Sequence, residues 1–208
     1  MTMLGWWLAT AGATEVECTS TQAEVVKQAF EDSEAQRALR ATDPEVQKAD
    51  EKRTKEMAKL ARKGQLCTAE EKWQAAWIMM QADDVDTLEQ AYQLAVETME
   101  AHYGRGPWLV AYSFDRKRVA NGYRQSYGTQ TRIDSQGRRC LVEVEPDVTD
   151  EERTKYGHPP IAEVYRKILD MNGFTDDQPT LDRVQRRGLY CEPQAQKRGA
   201  GRIAPPPQ

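Results

Sequence analysis

Between Thr68 and Val119 apolar side chains recur three times at helical spacing. Thr68-Ala69-Glu70-Glu71 has the form of a capping box, and Trp73, Ala76, Trp77 and Met80 follow at i, i+3, i+4 and i+7. This pattern predicts a core helix. After Asp83-Asp84 a second helix carries Val85, Leu88, Tyr92, Ala95 and Met99 on one face and runs to Tyr103-Gly104. So short a link implies antiparallel neighbours in a helical hairpin. Gly106-Pro107 opens a third helix, with Trp108, Ala111, Tyr112, Asp115 and Val119 on one stripe and a stop at Asn121-Gly122. A carboxylate on an apolar stripe costs several kcal/mol unless it is paired or hydrogen-bonded, so Asp115 needs a dedicated partner. Arg116 lies about 100° away around the helix and is not that partner.

The flanking segments are weaker. Residues 22–63 are rich in Glu, Lys, Arg, Gln and Ala, and Pro44 after Thr42-Asp43 marks the start of a second helix within them. Its apolar stripe is thin (Val46, Ala49, Met57, Leu60, Ala61), and Gly64 ends it. Residues 127–133 and 139–144 read as two short strands around the turn Asp134-Ser135-Gln136-Gly137. Thr149-Asp150-Glu151-Glu152 starts another helix, and Pro159-Pro160 interrupts it. A further apolar face, Ile161, Val164, Tyr165, Ile168 and Leu169, ends at Asn172-Gly173. The predicted class is α+β, predominantly α-helical with one short β-hairpin. We divide it into an N-terminal helical extension at 14–63, a core domain at 64–191 and a disordered tail at 192–208 that has nothing to bury.

Composition narrows the setting. The 208 residues carry a net charge of −4, which argues against nucleic acid as a partner because phosphate binding needs concentrated basic surface. The local basic clusters, Arg116-Lys117-Arg118 and Arg183 to Arg187, read as solvated helix faces, with Arg118 on the wet side. The uncharged stretch Met3 to Ala13 ends in Ala11-Gly12-Ala13 and is too short for a membrane span. Residues 1–13 therefore read as a signal peptide, the alternative being an N-terminus that packs Trp6 and Trp7 on the domain. No integral membrane segment is expected. Cys18, Cys67, Cys140 and Cys191 are even in number and widely spaced, which suits two disulfides in an extracytoplasmic protein, periplasmic or secreted. Three pairings are open, and no CxxC or Cys/His cluster suggests a metal. Asp83, Asp84 and Asp86 lack the glycine and terminal glutamate of a calcium loop and read as a helix junction.

Two strings carry a resemblance. Ala111 to Arg116 has the form AYxxDR, and Gln125 to Gln130 the form QxYGTQ. In this order, with the Trp-rich helix before them and Asp147 to Arg153 and Tyr156-Gly157 after, they resemble a bacterial family of unknown function over roughly residues 65 to 170. The family pattern places a histidine after the glutamine that ends the Trp-rich helix, whereas this chain reads Gln81-Ala82-Asp83-Asp84. A mechanism that needs that imidazole would have only His102 and His158 to draw on.

The resemblance implies that Asp115, Arg116, Gln125, Tyr127, Thr129, Gln130 and Arg153 share one neighbourhood. Such a group could form an anion or glycan pocket with Asp115 as candidate acid or base. It could equally be a buried network that pins the hairpin to the helix. The chain has no GxSxG, P-loop or HExxH string, and no cofactor is implied. The expected function is that of an exported small domain binding a small molecule or protein, and the alternative is an extracytoplasmic hydrolase or transferase with a site around Asp115, Tyr127 and Gln130. An open cleft around Asp115 would favour catalysis; enclosure by backbone donors would favour a scaffold.

Overall fold

The computed structural model describes residues 19–40, 42–175 and 178–191. The signal-peptide reading of 1–13, Cys18 and the tail 192–208 lie outside the described residues. Among the described residues ten elements follow one another: α1 (Ser20–Ala35), α2 (Pro44–Arg62), α3 (Ala69–Met79), α4 (Val85–Glu100), α5 (Gly106–Ala120), β1 (Thr131–Ile133), β2 (Arg139–Leu141), α6 (Asp150–Lys155), α7 (Ile161–Met171) and α8 (Leu181–Arg186). The protein is thus a predominantly helical α+β fold with one two-stranded antiparallel sheet. No described helix is long and apolar enough to cross a membrane.

The helix starts follow the capping signals. Asp43 accepts from the amides of Glu45 and Val46, with Pro44 at the first position. Thr68 caps α3 through the Glu71 amide, but the reciprocal bond expected of a capping box falls one residue earlier, since Glu71 Oε2 accepts from Cys67 N at 2.8 Å. Asp84 caps α4 through Thr87 N at 2.8 Å, which is the helix-junction role the acidic run suggested. α4 ends at Glu100, and the reversal falls on His102, held at φ 55, rather than on Gly104.

α3, α4 and α5 form the centre. Ile78, Met79, Ala91, Ala95, Leu109 and Val110 are fully enclosed in one apolar cluster, which also takes Val26 from α1 and Met57 from α2. The thin stripe of α2 is completed by polar residues: Asp50 is buried and receives Arg40 at 2.5 Å and Arg53 at 2.7 Å. A second cluster joins Leu141 of β2 to Ile168 and Leu169 of α7 and Val184 of α8.

The hairpin turn forms as its sequence indicates. Asp134 Oδ1 accepts from the amides of Gln136 and Arg138, both at 2.9 Å, and Gly137 supplies φ 77. The strands are shorter than the stretches 127–133 and 139–144, because residues 126–129 are withdrawn from pairing by Asp115. Beyond them the isolated bridge Gln125 to Val144 and the bond from Val142 N to the Gln130 carbonyl at 3.2 Å continue the pairing. On its other side Leu141 donates to the Leu189 carbonyl and Cys191 to the Leu141 carbonyl, each at 2.8 Å. A disulfide between Cys140 and Cys191 fastens this segment, and Cys67 is also disulfide-bonded.

The basic run on α5 is not a solvated face. Lys117 is 4 % exposed, pairs with Glu89 at 2.9 Å and sits 4.0 Å from the centre of the Tyr92 ring. Arg118, placed by periodicity on the wet side, is 8 % exposed and donates to the Arg124 carbonyl and to Glu145, each at 2.6 Å. α4 on one side and residues 123–145 on the other cover the face of α5 that carries Lys117 and Arg118, so these two cations must find partners inside.

Candidate functional site

Asp115 is fully enclosed, and four donors converge on it. Its Oδ1 accepts from Ser126 N at 2.6 Å and Tyr127 N at 3.0 Å, and its Oδ2 accepts from Tyr127 N at 3.0 Å, Thr129 N at 3.1 Å and Thr129 Oγ1 at 2.9 Å. Thr129 Oγ1 in turn accepts from Gln130 Nε2 at 2.9 Å, which leaves its own hydrogen for Asp115. Burial pushes the carboxyl upward from its usual range, while the donors from Tyr127, Ser126 and Thr129 pull it back. All four neighbours give hydrogen and none takes it, so the geometry suits the ionised form.

Arg153 completes the arrangement. It is 1 % exposed and donates through Nη1 to the Tyr127 carbonyl and through Nη2 to the Ser126 carbonyl at 3.1 Å. The peptide joining Ser126 to Tyr127 therefore gives its N–H to Asp115 and its C=O to Arg153. In a trans peptide these groups point opposite ways, so the loop is gripped between an anion and a cation. Gln125, also fully enclosed, closes the base: Nε2 donates to the Gln130 and Val142 carbonyls at 2.9 and 2.7 Å, and Oε1 accepts from Gln130 N at 2.6 Å. It is Gln125 rather than Gln130 that bridges the two sides of the hairpin.

Gly128 makes this grip sterically feasible. Its φ is +71, and a Cβ there would lie 3.0 Å from Arg153 Nη1 and 3.3 Å from Ile161 Cδ1. Gly122 has φ +81 with nothing within 4 Å of such a Cβ. Gly122→Ala should therefore cost about 1 kcal/mol for the left-handed backbone alone. Gly128→Ala should cost about 2–3 kcal/mol, because the arginine must also move. Equal shifts of the two urea midpoints would show that the contact with Arg153 is unimportant.

The residues named from sequence thus divide. Asp115, Gln125, Tyr127, Thr129, Gln130 and Arg153 meet in one network. Arg116 does not join it: its guanidinium donates to the Met80 and Ala82 carbonyls at 3.3 and 3.1 Å and lies 3.5 Å from Asp83, at the C-terminal end of α3 where a cation is favoured.

Beside the clamp runs an open groove of about 980 Å³ between α3, α5, the hairpin and α7. Tyr127, Gly128 and Thr129 form part of its wall, and the rest comes from residues that the sequence did not mark as site residues. Trp108 is the hub of an aromatic group, with ring centres 5.6 Å from Trp77, 5.1 Å from Tyr112 and 5.6 Å from His158. Four cations (Arg37, Arg139, Arg166, Lys167) and two carboxylates (Glu163, Asp170) also line it. The only sequence signal for this wall was that Trp108 and Tyr112 share the stripe of Asp115, four residues apart.

His158 packs its ring here with Nε2 at 3.1 Å from the Trp108 carbonyl. A carbonyl only accepts, so Nε2 carries the hydrogen and Nδ1 keeps its lone pair in the neutral ring. Burial, followed by the proximity of Arg153, lowers its pKa from 6.5 despite the bond to Trp108. Between the unfolded value and this lower native one, the unfolded chain binds a proton that the native ring refuses. Stability is therefore full above about pH 6.5 and declines as pH falls below it. The urea midpoint should drop on acidification from about pH 7 to 5.5, and His158→Asn should drop less steeply; parallel curves would exclude this role.

Among the described residues the His158 ring bonds only the Trp108 carbonyl, so no nucleophile is paired with it. No group of metal-ligating side chains is present among them either. Comparisons with protein-family models, with curated proteins and with solved structures return no match for this chain.

Proposed function

We propose that this chain is an exported, disulfide-stapled binding domain whose recognition surface is the aromatic groove, and that Asp115 holds the groove wall in shape. The observation that carries this reading is the enclosure of Asp115: at 0 % exposure, with its oxygens taken up by the Ser126, Tyr127 and Thr129 donors, it has no access to a substrate. This counts against a hydrolase or transferase built on Asp115, Tyr127 and Gln130. Export is supported by the Cys140–Cys191 bridge and the bonded Cys67, since such links persist outside the cytoplasm. We further propose membership of the bacterial family with the AYxxDR and QxYGTQ strings. Here the first string supplies the carboxylate and the second supplies the loop it holds, so the two strings act as halves of one device.

Two measurements test the reading. Cell fractionation with thiol counting under denaturing conditions should find the protein outside the cytoplasm with no free thiol; four free thiols in the cytosol would overturn export. A thermal-shift screen of a broad library of metabolites, peptides and glycans should give compounds that stabilise the wild type and not the variant Arg166→Glu/Lys167→Glu. Compounds that stabilise both equally would remove the groove from consideration.

A further inference from the structure

We propose that the groove takes an acidic carbohydrate, a short oligosaccharide bearing carboxylates, an inference that rests on the groove being the recognition surface. Its volume of about 980 Å³ lies at the upper end of the usual range for ligand sites, about 300–1,000 Å³, and leaves room for more than one sugar ring. Its apolar part combines Val164, Ile168 and Met171 with aromatic rings, of which Trp108 and Tyr112 are half-buried, and the electron-rich face of such a ring attracts the C–H face of a pyranose.

The charges decide which sugar. Four cations and two carboxylates line the groove; with Arg37 set aside, 3.7 Å from Glu34, three cations still outnumber the two carboxylates, although the whole chain is net negative at −4. Arg166 and Lys167 are exposed on α7 and engaged by no carboxylate among the described residues. Arg139 donates Nη1 to the Thr131 hydroxyl at 2.8 Å, which holds its planar fork at the groove. A neutral sugar would leave these cations unanswered. A polyphosphate or nucleic acid chain would meet Glu163 and Asp170, which repel closely spaced phosphates. Both carboxylates can instead accept from sugar hydroxyls while the cations take the sugar's own carboxylates.

The test uses the full chain with its disulfides intact. Tryptophan emission is followed during titration with oligogalacturonate, oligoguluronate and a hyaluronan hexasaccharide, with maltohexaose and hexathymidylate as the neutral and polyphosphate comparisons. At least one of the three uronic oligosaccharides should give a saturable change, weakened by added salt, with affinity at least tenfold above both comparisons. The variant Arg166→Glu/Lys167→Glu, exposed at both positions and therefore expected to fold, should lose at least tenfold in that affinity at an unchanged urea midpoint. Silence from all three, equal binding of maltohexaose, tighter binding of hexathymidylate, or an unaffected variant each overturns the proposal. If the broad screen still yields a groove-dependent ligand of other chemistry, only the acidic-sugar assignment falls; if it yields none, the groove reading falls with it.

Discussion

Replacing Asp115 with alanine is expected to lower the free energy of unfolding by about 3–5 kcal/mol, read as a fall in the urea midpoint at unchanged m-value. The substitution strands the amides of Ser126, Tyr127 and Thr129, together with the Thr129 hydroxyl, in a site from which water is excluded. Each buried unsatisfied donor costs about 1–3 kcal/mol, and water entering the space of the lost carboxylate would relieve part of the sum. Arg153 also loses the buried anion opposite it and keeps only Asp150, 3.8 Å away and half exposed. Arg118→Ala, which the helical wheel would have made harmless, should cost about 1–3 kcal/mol, because it frees Glu145 and the Arg124 carbonyl. The true surface control is Lys55→Ala, at 80 % side-chain exposure, with a change within about 0.5 kcal/mol. An Asp115→Ala midpoint indistinguishable from that of Lys55→Ala would sink the clamp and return Asp115 to the list of groups free to act on a ligand.

Removing the Cys140–Cys191 link should cost a comparable amount, about 4 kcal/mol, since it closes a loop of 51 residues whose freedom returns only to the unfolded chain. The effect should also have an address. The segment ending at Cys191 is joined to β2 through two backbone bonds, Leu141 N to the Leu189 carbonyl and Cys191 N to the Leu141 carbonyl, and through Arg138 to the Arg187 and Gly188 carbonyls. In a Cys140→Ala/Cys191→Ala variant the amides of Leu141 and Cys191 should exchange faster than those of Leu88 or Val110 at the helical centre. Uniform acceleration across all four amides would mean that the bridge stabilises the whole fold without anchoring this edge.

How legible these features were depends on how local their physics is. α4 and α7 were readable because each exposes one face and buries another, and α3 because the side chains it encloses from Trp73 to Met79 are nearly all apolar. α5 was misread in part for the opposite reason. It is covered on two sides, so Lys117 and Arg118 are inside together with its apolar residues, and a one-sided wheel assigns both to water by default. The partners that make their burial tolerable, Glu89 and Glu145, lie 28 and 27 residues away and leave no mark in the local pattern. Asp115 was legible as a problem, a carboxylate on an apolar stripe, and the motif placed its solution nearby. Arg153 could be named but its role could not, because it binds peptide carbonyls that no side-chain code announces. The groove was illegible: its wall runs from Arg37 to Met171, and only the docking of α7 beside α5 assembles it.

Because Asp115 and Arg153 hold the 126–129 loop by its amides and carbonyls, the fixed quantity there is the path of the main chain. Three of the four residues could exchange their side chains for others of similar bulk without altering that path, provided Gly128 keeps its left-handed turn and position 129 keeps a hydroxyl. The loop is then a rigid mount in which the ring of Tyr127, buried against Phe114 and Tyr156, is fixed together with the main chain, and recognition could be retuned across the groove at the exposed residues of α7 while this frame stays as it is.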